Sequence, residues 1–231
     1  MDFRNRNVVV TGGTGALGSA VVDVLLKAGA NCRVPYVHQS EMERFAHRAH
    51  KQVTLVQVKD LADEADVGKL YEGLFSLWAS IHIAGGYLWS PVADTDKAAL
   101  VAQINMNFVS CFLCCRAAVK MMGTNGGRIV NVAARPALEW RAGANMSAYG
   151  ASKAAVAALT VALSEEVAKD GILVNAVAPS IMDTPVNRKD MPKADFDKWP
   201  KVEEVAGTIV FLASPDNRVT RGGVIPVYGK S

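Results

Sequence analysis

The sequence predicts an α/β fold, a seven-stranded parallel sheet doubly wound with helices on both faces. Two observations carry that expectation. Short apolar segments alternate with helical patterns from one end of the 231 residues to the other. The first segment, Val8-Val9-Val10, runs into Thr11-Gly12-Gly13-Thr14-Gly15-Ala16-Leu17-Gly18, after which Leu17, Val21, Val24, Leu25 and Leu26 mark the apolar side of a helix. A plain turn needs one or two glycines; this one has four within seven positions. Glycines in that context let the backbone approach a pyrophosphate, and the helix N-terminus adds free N–H groups and a favourable dipole.

Strands are expected at 8–10, 32–36, 53–58, 81–84, 129–132, 173–178 and 224–227. Helices are expected at 40–50, opened by a Ser40…Glu43 capping box, and at 65–77, 98–122, 147–169 and 202–212. No repeat or linker interrupts the alternation, so residues 1–231 read as one domain. The stretch 183–200 departs from the pattern, with three prolines, mixed charge and no strand. A loop beyond the carboxyl end of the sixth strand is placed to cover the crevice where ligands bind, and Met191, Phe196 and Trp199 are unfavourable to leave in water. It is expected to be a substrate loop.

Bulk properties narrow the function classes. Hydrophobic content of 50% with 20% charged residues describes a chain able to bury a sizeable core. The formal charge is only +3 and the basic residues are dispersed, with no basic stripe interleaved with aromatics, which argues against nucleic-acid binding. No run reaches the ~20 apolar residues of a bilayer span, and the first residues, Met1-Asp2-Phe3-Arg4-Asn5-Arg6-Asn7, form no apolar signal region. Of the four cysteines, Cys111, Cys114 and Cys115 sit in one apolar helical pattern and Cys32 in a strand, without the spacing or histidines of a zinc site. They read as buried small hydrophobes in a reducing, cytoplasmic protein with no metal.

The pair Tyr149 and Lys153 carries the chemistry. Four residues apart on a helix, the two side chains share one face. A phenol titrates near ~10 and is a poor acid or base at neutral pH. An ammonium beside it favours the phenolate and draws the pKa toward the working range.

Together with the glycine turn, these residues resemble the short-chain dehydrogenase/reductase family over essentially the whole chain. Further landmarks follow in order: Asp60-Leu61 after the third strand, Ala84-Gly85-Gly86 after the fourth, Asn107-Phe108-Val109-Ser110, Val130-Asn131-Val132, and Val174-Asn175-Ala176-Val177-Ala178-Pro179. The resemblance implies a Rossmann-type fold and an NAD(P)-dependent oxidoreductase with Asn107, Tyr149 and Lys153 as catalytic residues. It implies a cofactor held by Gly12, Thr14, Gly15, Ala16, Leu17, Gly18, Tyr36, Asp60, Leu61, Ala84, Gly85, Gly86, Pro179, Met182 and Thr184, with Tyr149 and Lys153 at its reactive end. Asp60 would lie beside the adenine, Thr184 would hold the carboxamide, and Asn107 a water behind Lys153. It also implies a homodimer or homotetramer, with the helices 98–122 and 147–169 at an interface.

The chain departs from the family pattern at four places. The segment after the fifth strand reads Asn131-Val132-Ala133-Ala134, so Ala134 stands where the family has its catalytic serine; Ser147, two residues before Tyr149, is the nearest substitute. The second strand ends in Tyr36 and no carboxylate, which with His38 and Arg44 nearby leans toward NADP over NAD. His82 replaces an asparagine and is read as a structural core residue; Ala16 and Ser180 replace glycines. The missing serine and the stretch 183–200 make the chain similar to the quinonoid dihydropteridine reductase subgroup and to related bacterial short-chain reductases. A quinonoid dihydropterin accepts hydride with less activation than a ketone, and Tyr87 is placed to stack on a flat ring. The alternatives are a carbonyl or 3-oxoacyl reductase that recruits Ser147, and an NAD(P)-binding sensor or scaffold that has lost catalysis.

Overall fold

In a computed structural model describing residues 1–231, the apolar segments pair as strands β1 (Asn7–Thr11), β2 (Asn31–Tyr36), β3 (Val53–Gln57), β4 (Ala79–His82), β5 (Gly127–Val132), β6 (Ile172–Pro179) and β7 (Val224–Val227). They form one parallel sheet in the order β3-β2-β1-β4-β5-β6-β7. Alternation along β1 sends Val8 and Val10 into one apolar layer and Val9 into the other. Helices α1 (Ala16–Lys27) and α8 (Val202–Ala213) cover the first layer, where Val21, Leu25, Ile209 and Leu212 are fully or almost fully buried. Helices α3 (Glu64–Tyr71), α5 (Ser110–Met122) and α6 (Ser147–Glu166) cover the second. Both faces are therefore dry, as a parallel sheet requires. The winding reverses between β1 and β4, whose last residues Thr11 and His82 are paired, so the crevice opens beyond their carboxyl ends.

Several boundaries differ from the expectation, each for a local reason. β4 begins and ends two residues early, because Ile83 and Ala84 leave the ladder to line the crevice. The second helix, α2, spans only Gln39–Arg44, since Phe45 turns out of the helix into the core. No Ser40…Glu43 capping box forms: the N-cap is His38, with no side-chain hydrogen bond. α3 is capped by Asp63, which accepts from Ala65 N and Asp66 N, and stops before Gly73, held at a φ of +74°. The stretch expected at 98–122 is divided into α4 (Lys97–Ile104), a π turn at Asn105–Val109, and α5. By length and composition Lys97–Met122 is apolar enough to cross a membrane; here Leu113, Cys114, Ala118 and Met122 pack into the core.

The stretch 183–200, expected as a loop over the crevice, has none of its residues in the crevice lining. It folds on itself. Thr184 caps a short helix, α7 (Pro185–Asp190), by accepting from Asn187 N. Arg188 makes a bidentate pair with Asp183 and lies over the Phe196 ring, which packs against Trp199 at 5.0 Å. Trp199 is buried, and Asp183 pairs with Lys201 through a single backbone β-bridge. Phe196 and Trp199 are thus packed within the segment, and only Met182, just before it, lines the crevice.

His82 is the structural residue expected, but its surroundings differ from those the sequence suggests. Its Nδ1 donates to Asn131 Oδ1 at 2.8 Å, its Nε2 meets Ser80 Oγ at 2.8 Å, and Asn131 Nδ2 donates to Thr160 Oγ1. The cysteines do have a histidine beside them, contrary to the sequence reading: the ligand atoms of His82, Cys111 and Cys115 lie within 4.8 Å of one another. Asn131 Oδ1 sits among the three and accepts from both thiols at 3.3 and 3.5 Å, clipping β4, β5 and α5 together. Replacing Asn131 with Ala strands these buried donors. Urea denaturation should show a loss of about 2–4 kcal/mol with the m-value unchanged.

Candidate active site

The crevice has two ends. At the first, Gly12, Thr14, Gly15, Ala16, Leu17 and Gly18 line a cavity of about 540 Å³ together with Tyr36, Leu61, Ala84 and Gly85. The residues fit a dinucleotide pyrophosphate. Gly12 has a φ of +66°, and a Cβ there would come 2.7 Å from Ala84 N; one at Gly18 would overlap the Gly12 carbonyl oxygen. The N-cap Gly15 has no side chain to cap α1, so the first-turn N–H groups are left for an anion. Asp60 lies in an adjoining cavity of about 400 Å³ with Leu61, its Oδ1 accepting from Ala62 N.

At the second end, Tyr87, Ala134, Tyr149, Lys153, Pro179 and Met182 line a cavity of about 240 Å³, continuous in its lining with the first through Leu17, Ile83 and Gly85. Tyr149 stands in the first turn of α6, and the Tyr87 ring packs edge-to-face on it, 5.1 Å between centroids. Lys153, one turn on, is 6% exposed and its Nζ donates to Val132 O at 2.8 Å. Asn107 is buried in the π turn, its Oδ1 accepting from Gly86 N and its Nδ2 donating to Gly86 O and Ser152 Oγ. Ser152 Oγ in turn donates to Tyr149 O. One carboxamide so joins the loop after β4 to the helix bearing Tyr149 and Lys153.

The electrostatics correct one expectation. Burial pushes the Tyr149 phenol up to about 12, the neighbouring Tyr87 adding to the effect, and the Lys153 ammonium does not draw it down. Burial brings Lys153 down to about 8. The two side chains make no hydrogen bond, because Lys153 is turned to the strand carbonyl. At neutral pH Tyr149 is therefore a protonated donor, suited to giving a proton.

The structure brings most of the expected residues to the crevice, but not all. Ser147 is exposed and lines neither cavity, and the Thr184 hydroxyl serves α7. Ala134 is in the reactive cavity and offers no hydroxyl there. Sequence reasoning missed Glu41, Ile83 and Met106 in the first cavity and gave Ser180, which lines the second, no site role. The signal for Glu41 was its place in the helix directly after the second strand.

A doubly wound sheet with a glycine cradle at its switch point defines the dinucleotide-binding class of α/β proteins. Comparison with known proteins specifies the family: residues 6–195 match the short chain dehydrogenase model, and the chain belongs to that family. It is 31% identical to the cis-4-hydroxycyclohexanecarboxylate dehydrogenase of Sinomonas cyclohexanicum, over 98% of this chain and 96% of that one. It is 29% identical to the 2,3-dihydroxy-2,3-dihydro-p-cumate dehydrogenase of Pseudomonas putida, over 100% of this chain and 96% of that one. Among solved structures, ElxO with NADP bound superposes with a TM-score of 0.86 at 26% identity, over 96% of each chain. The protein is an NAD(P)-dependent oxidoreductase acting on a small molecule.

The Lys153 environment has a measurable consequence. Its pKa falls from 10.5 to about 8 in the folded protein, so between those values the unfolded chain binds the extra proton. Native stability must then rise with pH across that window. Relative to Lys153→Met, in which this proton is absent, the wild-type unfolding free energy should be flat below pH 8 and increase by roughly 3 kcal/mol up to pH 10.5, read by urea denaturation without cofactor. The Tyr149 titration acts in both proteins and cancels.

Proposed function

We propose that the protein reduces a planar, conjugated, electron-poor acceptor of the quinonoid dihydropterin type. Tyr149 acts as proton donor and Ala134 stands in place of the family's serine. The observation that carries this reading is the composition of the reactive cavity: the protonated Tyr149 phenol, an alanine where the family's serine hydroxyl would polarise a carbonyl, and the 59%-exposed Tyr87 ring at the entrance. The missing donor would cost a ketone reductase about 10²–10³ in rate, whereas a cross-conjugated acceptor does not depend on it.

The nicotinamide, when bound, supplies hydride. The residues do the rest. Gly12, Gly15, Gly18 and the free end of α1 hold the pyrophosphate, and the cavity around Leu17, Pro179 and Met182 takes the reactive ring. Tyr149 Oη gives its proton to the product. Lys153, near its titration point at pH 8, leads away from Tyr149 toward the Val132 carbonyl. Asn107 holds the loop and helix so that Tyr149 and the glycines keep one geometry. Tyr87 limits the sideways freedom of a flat ring. The protein acts as a homo-oligomer, in which Leu100, Val101, Phe112 and Val161, all 42–47% exposed on α4, α5 and α6, are covered by a second copy.

A second reading is a ring alcohol and ketone pair, favoured by the activities of the two relatives named above, both dehydrogenases of oxygenated six-membered rings. Against it stand Ala134 and the exposed Ser147. Absorbance at 340 nm separates the two, with quinonoid dihydropterin offered beside a panel of cyclic ketones. Pterin turnover at least 10²-fold above any ketone supports the first reading; the reverse order overturns it, and silence on both with cofactor binding intact favours a sensor. Tyr149→Phe should lower kcat by at least about 10³-fold while cofactor Kd stays within about threefold. Ala134→Ser should raise ketone turnover by at least about tenfold and leave pterin turnover nearly unchanged.

A further inference from the structure

The adenosine end of the crevice ends on β2 without an acidic residue, because the strand finishes at Tyr36. The fold supplies a carboxylate from the next element instead. Glu41, the third residue of α2, is half-buried, and its Oε2 accepts from Val37 N at 3.2 Å. This pins the carboxylate one residue past the strand end, on the wall it shares with Gly12, Gly15 and Tyr36. An ionised carboxylate has about four acceptor sites, and the Val37 amide takes one. Arg44, on the same cavity, is exposed at the rim, its Nε donating to Ser40 O at 3.0 Å, and it makes no ion pair with Glu41. The charge nearest the strand end is therefore negative and backbone-anchored, and the positive one is peripheral and screened.

We propose that Glu41 selects the unphosphorylated dinucleotide: its free carboxylate sites accept from the hydroxyls of the adenosine ribose and repel a 2′-phosphate. The inference rests on reading the crevice as a dinucleotide site, and it reverses the sequence-based lean toward NADP. A phosphate monoester carries a charge of about −1.5 to −2 at neutral pH, so lodging it against Val37 means displacing Glu41 or placing like charges in contact. A ribose hydroxyl in the same place is a donor to an acceptor already oriented.

Fluorescence titration with NADH and with NADPH tests this by binding alone, on the wild type, Glu41→Gln and Arg44→Ala. Gln keeps a carbonyl for Val37 N, so α2 should hold, and an unchanged Tm checks it. The wild type should bind NADH at least about tenfold more tightly than NADPH. Glu41→Gln should bring the two to within about threefold, chiefly by tightening NADPH, and Arg44→Ala should leave the NADH Kd within about twofold. Equal or tighter binding of NADPH by the wild type, or an unchanged ratio in Glu41→Gln, overturns the proposal. Loss of NADPH binding in Arg44→Ala from a wild type that prefers NADPH would assign selection to Arg44 instead. Failure of the wild type to bind either cofactor would bring down the dinucleotide reading and this inference with it.

Discussion

The reactive geometry depends on one buried carboxamide. Asn107 binds both backbone groups of Gly86 and, through Ser152, the carbonyl of Tyr149. It thereby sets the distance between the glycine loop after β4 and the first turn of α6. An ordinary helix would not present it this way. The π turn at Asn105–Val109 adds a residue within the turn and displaces the side chain from the face it would otherwise share with its neighbours, a common use of such turns. Gly85 has no side chain for the same reason: a Cβ there would overlap Asn107 Oδ1. The glycines of that loop, the π turn and Ser152 form one mutually constrained unit, and the turn of α6 that carries Tyr149 and Lys153 is mounted on it.

Much of the fold was legible because it follows from two periodicities. Runs such as Val8-Val9-Val10 and Ile129-Val130 feed both faces of the sheet, and that pattern has few other readings. What was not legible lay where tertiary packing overrides local preference. Phe45 ends α2 early because the core takes it, a contact no local window contains. The π turn leaves no mark in an apolar pattern that continues across it. Residues 183–200 read as a cover because Phe196 and Trp199 needed burial; they find it against Arg188 and each other.

The site was legible to the extent that it resides in backbone. The glycine positions are dictated by close approach, and each expected glycine reached the crevice. Side chains that act by charge were harder to place. Lys153 was expected to work on Tyr149 by proximity, yet four-residue spacing says nothing of a strand carbonyl that competes for the ammonium. Spacing likewise placed Ser147 near Tyr149, but at the first position of α6 its hydroxyl is exposed and outside the reactive cavity. His82 was placed correctly in the core, but its proximity to Cys111 and Cys115 arises from pairing between strands and a helix far apart in the chain.

The closure of the segment after β6 has a bearing on how such a molecule can change. Asp183 N donates to Pro200 O at 2.9 Å and Asp183 pairs with Lys201 in a single backbone β-bridge, so the segment after β6 closes on itself just before α8. Whatever lies between those two residues is a loop of fixed footprint. Residues can be inserted, removed or exchanged there without moving β6 or α8, since lengthening a loop whose ends already meet adds little closure entropy. The sheet and its glycine cradle can stay constant while the segment after Met182, at the edge of the cleft, is rewritten. Variation confined to one tethered excursion is a simple route by which one scaffold comes to accept many different molecules.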